Sequence, residues 1–373
     1  MEVPWALPDI GSNELSEVTD CVESTWVTMG PRVSELEEKL ADYIDVNHAI
    51  AVNSGTAALD VALKSLEIDP QDEVIVPAMT YIATANAVRY QHANPVFADI
   101  NSTTYTLDPE SVRQQLSEDS SAILPIDYGG QCADYEHLQR IAEEEDIALI
   151  GDAAESLSAS YDGEMAGSLA DISVTSFHAA KLMTSVEGGM IFTDDAKLAE
   201  RCRIIRNQGE HPEKKYHHQE LGHNYRLSDL HAAVGLAQFD RLDEIIDQRE
   251  TIAEFYMEHL QPISDQIVLP TVSPQNEHAW FLFSILSESR DLIRKHLNEH
   301  GISTRVTWPL PAHKQPVYSD QHGDETYPIS ESFANGVLSL PMYHSMNEEE
   351  MKYVVERLIE AVDAYVDDKY ELE

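Results

Sequence analysis

An α/β protein with a large, mostly parallel sheet domain and a smaller C-terminal α+β domain is the fold class the sequence predicts, on three observations. From residue 48 to about 195, short apolar runs rich in β-branched residues alternate with amphipathic segments, as they must when strands are covered by helices on both faces. The chain has 373 residues, beyond the roughly 250–300 at which one core stops growing, so two domains are expected. Hydrophobic residues make up 43% of it, enough to fill both. The expected division is 1–245 for the large domain and 246–373 for the small one.

Residues 13–46 read as two helices joined at "TWVTMGP", where Gly30-Pro31 breaks the pattern. Seven apolar runs follow: "AIAV", "EVIVP", "NPVFADI", "SAILPID", "IALIGD", "DISVTSF" and "GMIFTDD". In an open parallel sheet, ligands sit beyond the carboxyl ends of the strands, so the polar residues just after each run are the first candidates for a site. A long helix is expected over about 227–260, with Ser228 and Asp229 as capping candidates, linking the two domains.

Asp and Glu number 67 against 24 Lys and Arg, a net charge of −43 spread along the whole chain. Such self-repulsion is tolerated when molar salt shortens the Debye length to about 3 Å. A halophile's cytoplasmic protein is expected in preference to an ordinary acidic enzyme. No basic stripe exists to neutralise phosphates, which argues against nucleic-acid and anionic-membrane partners. Cys21, Cys132 and Cys202 are odd in number, far apart and without metal-ligand spacing. They read as small buried residues in a reduced compartment, and no metal is expected. The N-terminal "MEVPWALPDIGSNE" lacks a basic or apolar leader, and no run of 18 apolar residues occurs. A soluble, cytoplasmic protein is expected.

The chemistry centres on Lys181 in "SFHAAKLMTSVEGG". It follows a strand, is flanked by Ala179, Ala180 and Leu182, and precedes the turn Glu187-Gly188-Gly189. An amine held there loses solvation, which favours its neutral, nucleophilic form and the formation of a Schiff base. A lysine joined to a pyridoxal cofactor needs an acid to keep the pyridine nitrogen protonated. "IALIGDAAES" offers Asp152 for this; Asp152 and Glu155 also fit a helix capping box, and spacing leaves both readings open. In "NSGTAAL", a strand leads through Ser54-Gly55-Thr56 into a helix, so the amides of Gly55, Thr56 and Ala57 are candidates to hold a phosphate. Tyr81, just past another strand, is placed either to stack on a pyridine ring or to pack in the core.

Taken in order, "NSGTAAL", "DEVIVPAMTYIATANAV", "PVFADI", "DAAES", "SFHAAKLMTSVEGG" and "GHNYRLSDLHAAVGLAQFDRLDEI" resemble the DegT/DnrJ/EryC1/StrS family of pyridoxal-phosphate-dependent nucleotide-sugar aminotransferases. The resemblance runs from "WVTMGPRVSELEEKL" to "VLSLPMYHSMNEEE", nearly the whole chain. It implies the aspartate-aminotransferase-like fold (fold type I) and a homodimer with active sites shared between subunits. By that resemblance Lys181 bonds pyridoxal 5'-phosphate and Asp152 partners the pyridine nitrogen. Gly55, Thr56 and Ser176 contact the phosphate, Tyr81 stacks on the ring, and Asn224 reaches the phosphate from the neighbouring subunit. Lys181 argues against the related dehydratases, which carry histidine there.

Two departures stand out. Many members read Gln where this chain has Glu155, and members similar to perosamine synthases often carry Glu. Beside the cofactor's phenolate oxygen, Glu155 is either a protonated donor or only a capping residue. The family's "H-x-Y-G" is Asp127-Tyr128-Gly129-Gly130 here, so the role of that histidine does not transfer.

The implied reaction moves an amino group from an amino acid, L-glutamate by expectation, to a nucleotide-linked keto-deoxy sugar. Lys181 shuttles the proton. A keto-cyclitol acceptor or a non-catalytic cofactor-binding regulator are the alternatives. The segment 201–218, ahead of Arg226, concentrates Arg201, Arg203, Arg206, Lys214, Lys215 and three histidines. It is either a positive wall for the diphosphate or a set of structural ion pairs. His178, Arg305 and His313 complete the candidate substrate contacts.

Overall fold

The computed structural model describes residues 1–366. The seven apolar runs form one seven-stranded sheet. In chain order its strands are β1 (His48–Val52), β2 (Glu73–Pro77), β3 (Asn94–Ala98), β4 (Ser120–Ile123) and β5 (Ala148–Asp152). A small hairpin follows, β6 (Ser160–Tyr161) with β7 (Glu164–Met165), and the sheet resumes with β8 (Ile172–Ser176) and β9 (Gly189–Thr193). The order across the sheet is β1-β9-β8-β5-β4-β2-β3. Only β9 runs against its neighbours, antiparallel to both β1 and β8.

Alternation along each strand explains why the runs read as continuously apolar. Ala49 and Ala51 of β1, Ile75 of β2 and Phe192 of β9 enter one core cluster, with helix Pro31–Ile44. Ile50, Val52, Val74, Val76 and Ile191 enter the cluster on the opposite face, with helices Gly55–Ser65, Ile82–Tyr90 and Ala196–Arg206. Both faces are dry, so neither tolerates polar alternation.

A third core cluster draws on Val3 and on residues between Ile252 and Val362. It lies beneath helices Arg290–Glu299 and Glu348–Val366 and the short antiparallel pair Ser284–Leu286 and Val337–Ser339.

The helix expected over 227–260 is two helices, Asp229–Phe239 and Leu242–Leu260, interrupted at Asp240-Arg241. Arg241 leaves helical geometry with φ −116° and ψ 7°. Ser228 does cap the first of them, its Oγ accepting from the His231 amide. Asp229 instead caps a distant helix: its carboxylate accepts from the amides of Gly30, Arg32 and Val33, satisfying the N-terminus of Pro31–Ile44. Cys21, Cys132 and Cys202 are free and buried, as expected. Among the described residues no helix is long and apolar enough to cross a membrane.

Candidate active site

Strand ends and the loops that follow them enclose a cavity of about 690 Å³. Ser54 follows β1, Tyr81 follows β2, Asp152 ends β5 and Ser176 ends β8, and all four line it. Of the residues singled out from the sequence, Gly55, Thr56, Glu155, His178, Lys181 and Arg305 line it too.

The floor is a buried carboxylate. Asp152 Oδ2 accepts from Thr84 Oγ1 at 3.1 Å, and Oδ1 accepts from the Ala154 amide at 3.2 Å. Burial pushes its carboxyl up to about 6, against the opposing pull of the Ala154 N–H, the Lys181 charge and the Thr84 hydroxyl. No helix begins at Asp152, since residues 154–158 form turns. The capping-box reading of Asp152 and Glu155 is therefore corrected: the carboxylate turns in toward Thr84 and the cavity.

Lys181 sits in the loop between β8 and β9, its side chain 18% exposed. Its Nζ lies 3.4 Å from Glu155 Oε1 and 4.5 Å from the centroid of the Phe281 ring. Glu155 Oε2 accepts from the Gly129 amide at 3.0 Å. Glu155 is thus not a helix cap; with Lys181 on one oxygen and the Gly129 amide on the other, it ties the lysine to the glycine turn. Gly129 needs its left-handed φ of 67° to present that amide. Asp127, standing where the family has histidine, is buried behind this turn. It accepts from Ser156 Oγ at 2.6 Å and the Ala133 amide at 2.9 Å, and burial pushes it up to about 7.

The phosphate cradle is made by close backbone approach. Ser54 Oγ accepts from the Ala57 amide at 3.1 Å, so Ala57 is already used by the cap, contrary to expectation. The amides of Gly55 and Thr56, in the first turn, have no intrahelical acceptor and are the donors left for an anion. A Cβ on Gly55 would stand 2.8 Å from Ser176 Cβ, and one on Gly189 would stand 2.6 Å from the Ser54 carbonyl oxygen. Only glycine permits this cradle. Tyr81, at the start of helix Ile82–Tyr90, is 57% exposed in the cavity wall. Core packing is excluded for it, and its ring is available to a ligand.

These residues fit pyridoxal phosphate at every functional end of the molecule: amides and Ser176 for a phosphate, a buried carboxylate for a pyridine nitrogen, an aromatic face, and a lysine for the carbonyl. Residues 8–359 match the DegT/DnrJ/EryC1/StrS aminotransferase family. The chain belongs to that family, and it is a pyridoxal-phosphate-dependent aminotransferase. It is 36% identical over 364 residues to the GDP-perosamine synthase of Caulobacter vibrioides, covering 96% of each chain. Among solved structures it resembles S. venezuelae DesV, with TM-score 0.94, 33% identity, and coverage of 97% of this chain and 98% of that one. It also resembles Bacillus subtilis NtdA, solved with bound cofactor PMP, with TM-score 0.90, 30% identity, and coverage of 97% of this chain and 85% of that one. The aspartate-aminotransferase-like fold and the cofactor expected from the sequence are both sustained.

The remaining candidates lie elsewhere. Asn224 is exposed and pairs through its backbone with Asn207, and Arg226 donates to Asn207 Oδ1 at 3.0 Å. Lys214 and Lys215 ride an exposed hairpin closed by the bridges Asn207–Asn224 and Glu210–His218. His313 is fully buried, its Nε2 3.3 Å from Glu331 Oε1, among Phe97 and Tyr327. It is a core residue. The basic segment also divides: Arg206 is buried on Glu37 and the Ala51 carbonyl, and Arg201 pairs with Glu67 and Glu220. Sequence reasoning passed over Thr84, Phe281, Trp5 and Trp308. Only the aromatic cluster "HAWFLF" offered a local signal for any of them, since Thr84 touches Asp152 across 68 residues.

Proposed function

We propose that the protein transfers an amino group from an amino acid, L-glutamate in our reading, to a keto-deoxy sugar carried on a nucleotide diphosphate. The observation that carries this is the meeting of Lys181, Asp152 and the Gly55–Thr56 amides around one cavity. The similarity to a GDP-perosamine synthase supports the sugar-nucleotide acceptor.

When bound, the cofactor supplies an electron sink. The chain's own residues do the rest. Gly55, Thr56 and Ser176 hold the phosphate end, and Tyr81 presses one face of the ring. Asp152 keeps a proton on the pyridine nitrogen, and Thr84 holds that carboxylate in place. Lys181 takes and returns the proton at the substrate carbon, steered by Glu155 and screened from water by Phe281. Arg305, stacked on Trp5 with its guanidinium 4.8 Å from the ring, and His178 stand at the mouth to receive substrate.

The division 1–245 and 246–373 is part of the proposal, as is a cytoplasmic homodimer. In that dimer the hairpin 207–224, with exposed Tyr216 and Leu221, brings Asn224, Lys214 and Lys215 to the neighbouring subunit's cavity. Among the described residues, Lys181 and Arg305 are the lysine and arginine side chains that line the cavity, so a diphosphate calls for further cations.

The test is the visible absorption of the protein in molar KCl with pyridoxal phosphate, before and after L-glutamate, beside Lys181→Ala. The band of the lysine-bound cofactor should disappear on adding glutamate in the wild type. In the variant turnover should fall by at least about 10⁴-fold. An intact band that ignores glutamate and every other amino acid, with no keto sugar aminated, would sink the reading.

A further inference from the structure

Two helices of the small domain bring together ligands that the aminotransferase reaction does not use. Among the described residues, His296, His300 and Glu360 each offer one ligand atom, all within 4.8 Å of one another. His296 lies in the last turn of helix Arg290–Glu299 and His300 is its C-cap. One turn apart, their rings stack at 4.3 Å with 28° between planes. Glu360 comes from the facing helix Glu348–Val366.

The protonation of His300 follows from geometry. Its Nδ1 is 2.8 Å from the His296 carbonyl oxygen, which can only accept, so Nδ1 carries the proton and Nε2 keeps its lone pair. An imidazole held by such a bond to a backbone carbonyl is oriented as metal-ligating histidines are. His296 Nε2 lies 3.8 Å from Glu360 Oε2. Arg357 Nη1 occupies the same oxygen at 2.6 Å, which leaves the other carboxylate oxygen to a metal. Glu299 adds favourable charge nearby, and Arg357 opposes it.

We propose that His296, His300 and Glu360 bind a divalent transition metal of the zinc class and join the two helices. Two imidazoles and one carboxylate suit such ions and not magnesium or calcium, which take oxygen ligands. The ligands of a tetrahedral site stand roughly 3.4 Å apart. The contraction needed falls on Glu360, whose side chain is 47% exposed and can rotate.

The experiment is equilibrium dialysis of the cofactor-loaded protein in molar KCl against micromolar ZnCl2. Excess MgCl2 occupies the acidic surface, and thermal unfolding is read in parallel. One zinc per chain and a higher unfolding temperature are expected. Both should be lost in His300→Gln, with affinity falling beyond the roughly 10–100-fold that loss of an outer-shell partner costs. Activity without zinc should match the wild type. Glu360→Gln, at a partly exposed position, provides the same comparison if His300→Gln does not fold. Zinc uptake that is absent in the wild type, or undiminished in a folded variant, overturns the proposal.

Discussion

Two buried carboxyls decide how the site responds to pH. Asp152 and Asp127 are raised by burial to about 6 and about 7, so the folded chain holds protons that the unfolded chain releases near pH 4. Their stabilising contribution is therefore complete below the ordinary carboxylate range and is lost as pH rises through 6 and 7. Asp127→Asn keeps an acceptor for the Ala133 amide and removes the charge. It should stabilise the cofactor-free protein at pH 8 by on the order of 2–4 kcal/mol and leave it unchanged at pH 4. Denaturant unfolding in molar KCl checks this; parallel stability profiles for the two proteins would show that the buried charge costs nothing.

At the scale of elements, the cradle depends on how closely three segments approach. Strand β9 runs antiparallel between β1 and β8, which sets Gly189 opposite both Val52 and Ser176. A methyl group on Gly189 meets backbone atoms of Ser54 and Gly55 that cannot move without shifting the helix start. Gly189→Ala should cost about 1–3 kcal/mol of stability and weaken pyridoxal phosphate binding out of proportion to that loss. A titration of the visible band measures the second effect. Equal affinity in variant and wild type would mean that the amides of Gly55 and Thr56 do not hold the phosphate. Asp229 is an element-scale residue of another kind, since its carboxylate fastens the N-terminus of one helix to the start of another 197 residues away.

For the whole molecule, the net charge of −43 is the dominant long-range term. Moving from about 0.1 M to 1 M salt shortens the Debye length from about 10 Å to about 3 Å and removes most of the repulsion. The unfolding temperature should rise by roughly 5–15 °C between dilute buffer and molar KCl, with NaCl acting alike. A flat profile would mean that the acidic surface is not a stability problem. It would also remove the physical basis for expecting a halophile's protein.

The sequence by itself determined the sheet and the chemical class. Strands buried on both faces must be apolar throughout, and all seven runs became sheet strands for that reason. Lys181, Asp152 and the Gly55 turn were legible because each stands directly after such a run, where open parallel sheets place ligands. Tertiary structure alone decided which way side chains point. Asp152 fits a helix cap by spacing and becomes a site residue only because no helix follows and Thr84 waits across the sheet. His313 resembles a substrate contact by motif and is buried because Phe97 and Tyr327 close over it. Thr84 carried no local signal, and the aromatic run around Phe281 did not say where that ring lies, since both roles exist only between segments far apart in the chain. Periodicity and breaker residues act over a few positions and can be read along the chain, whereas contacts to Lys181 and Asp152 depend on distances that only the packed fold sets.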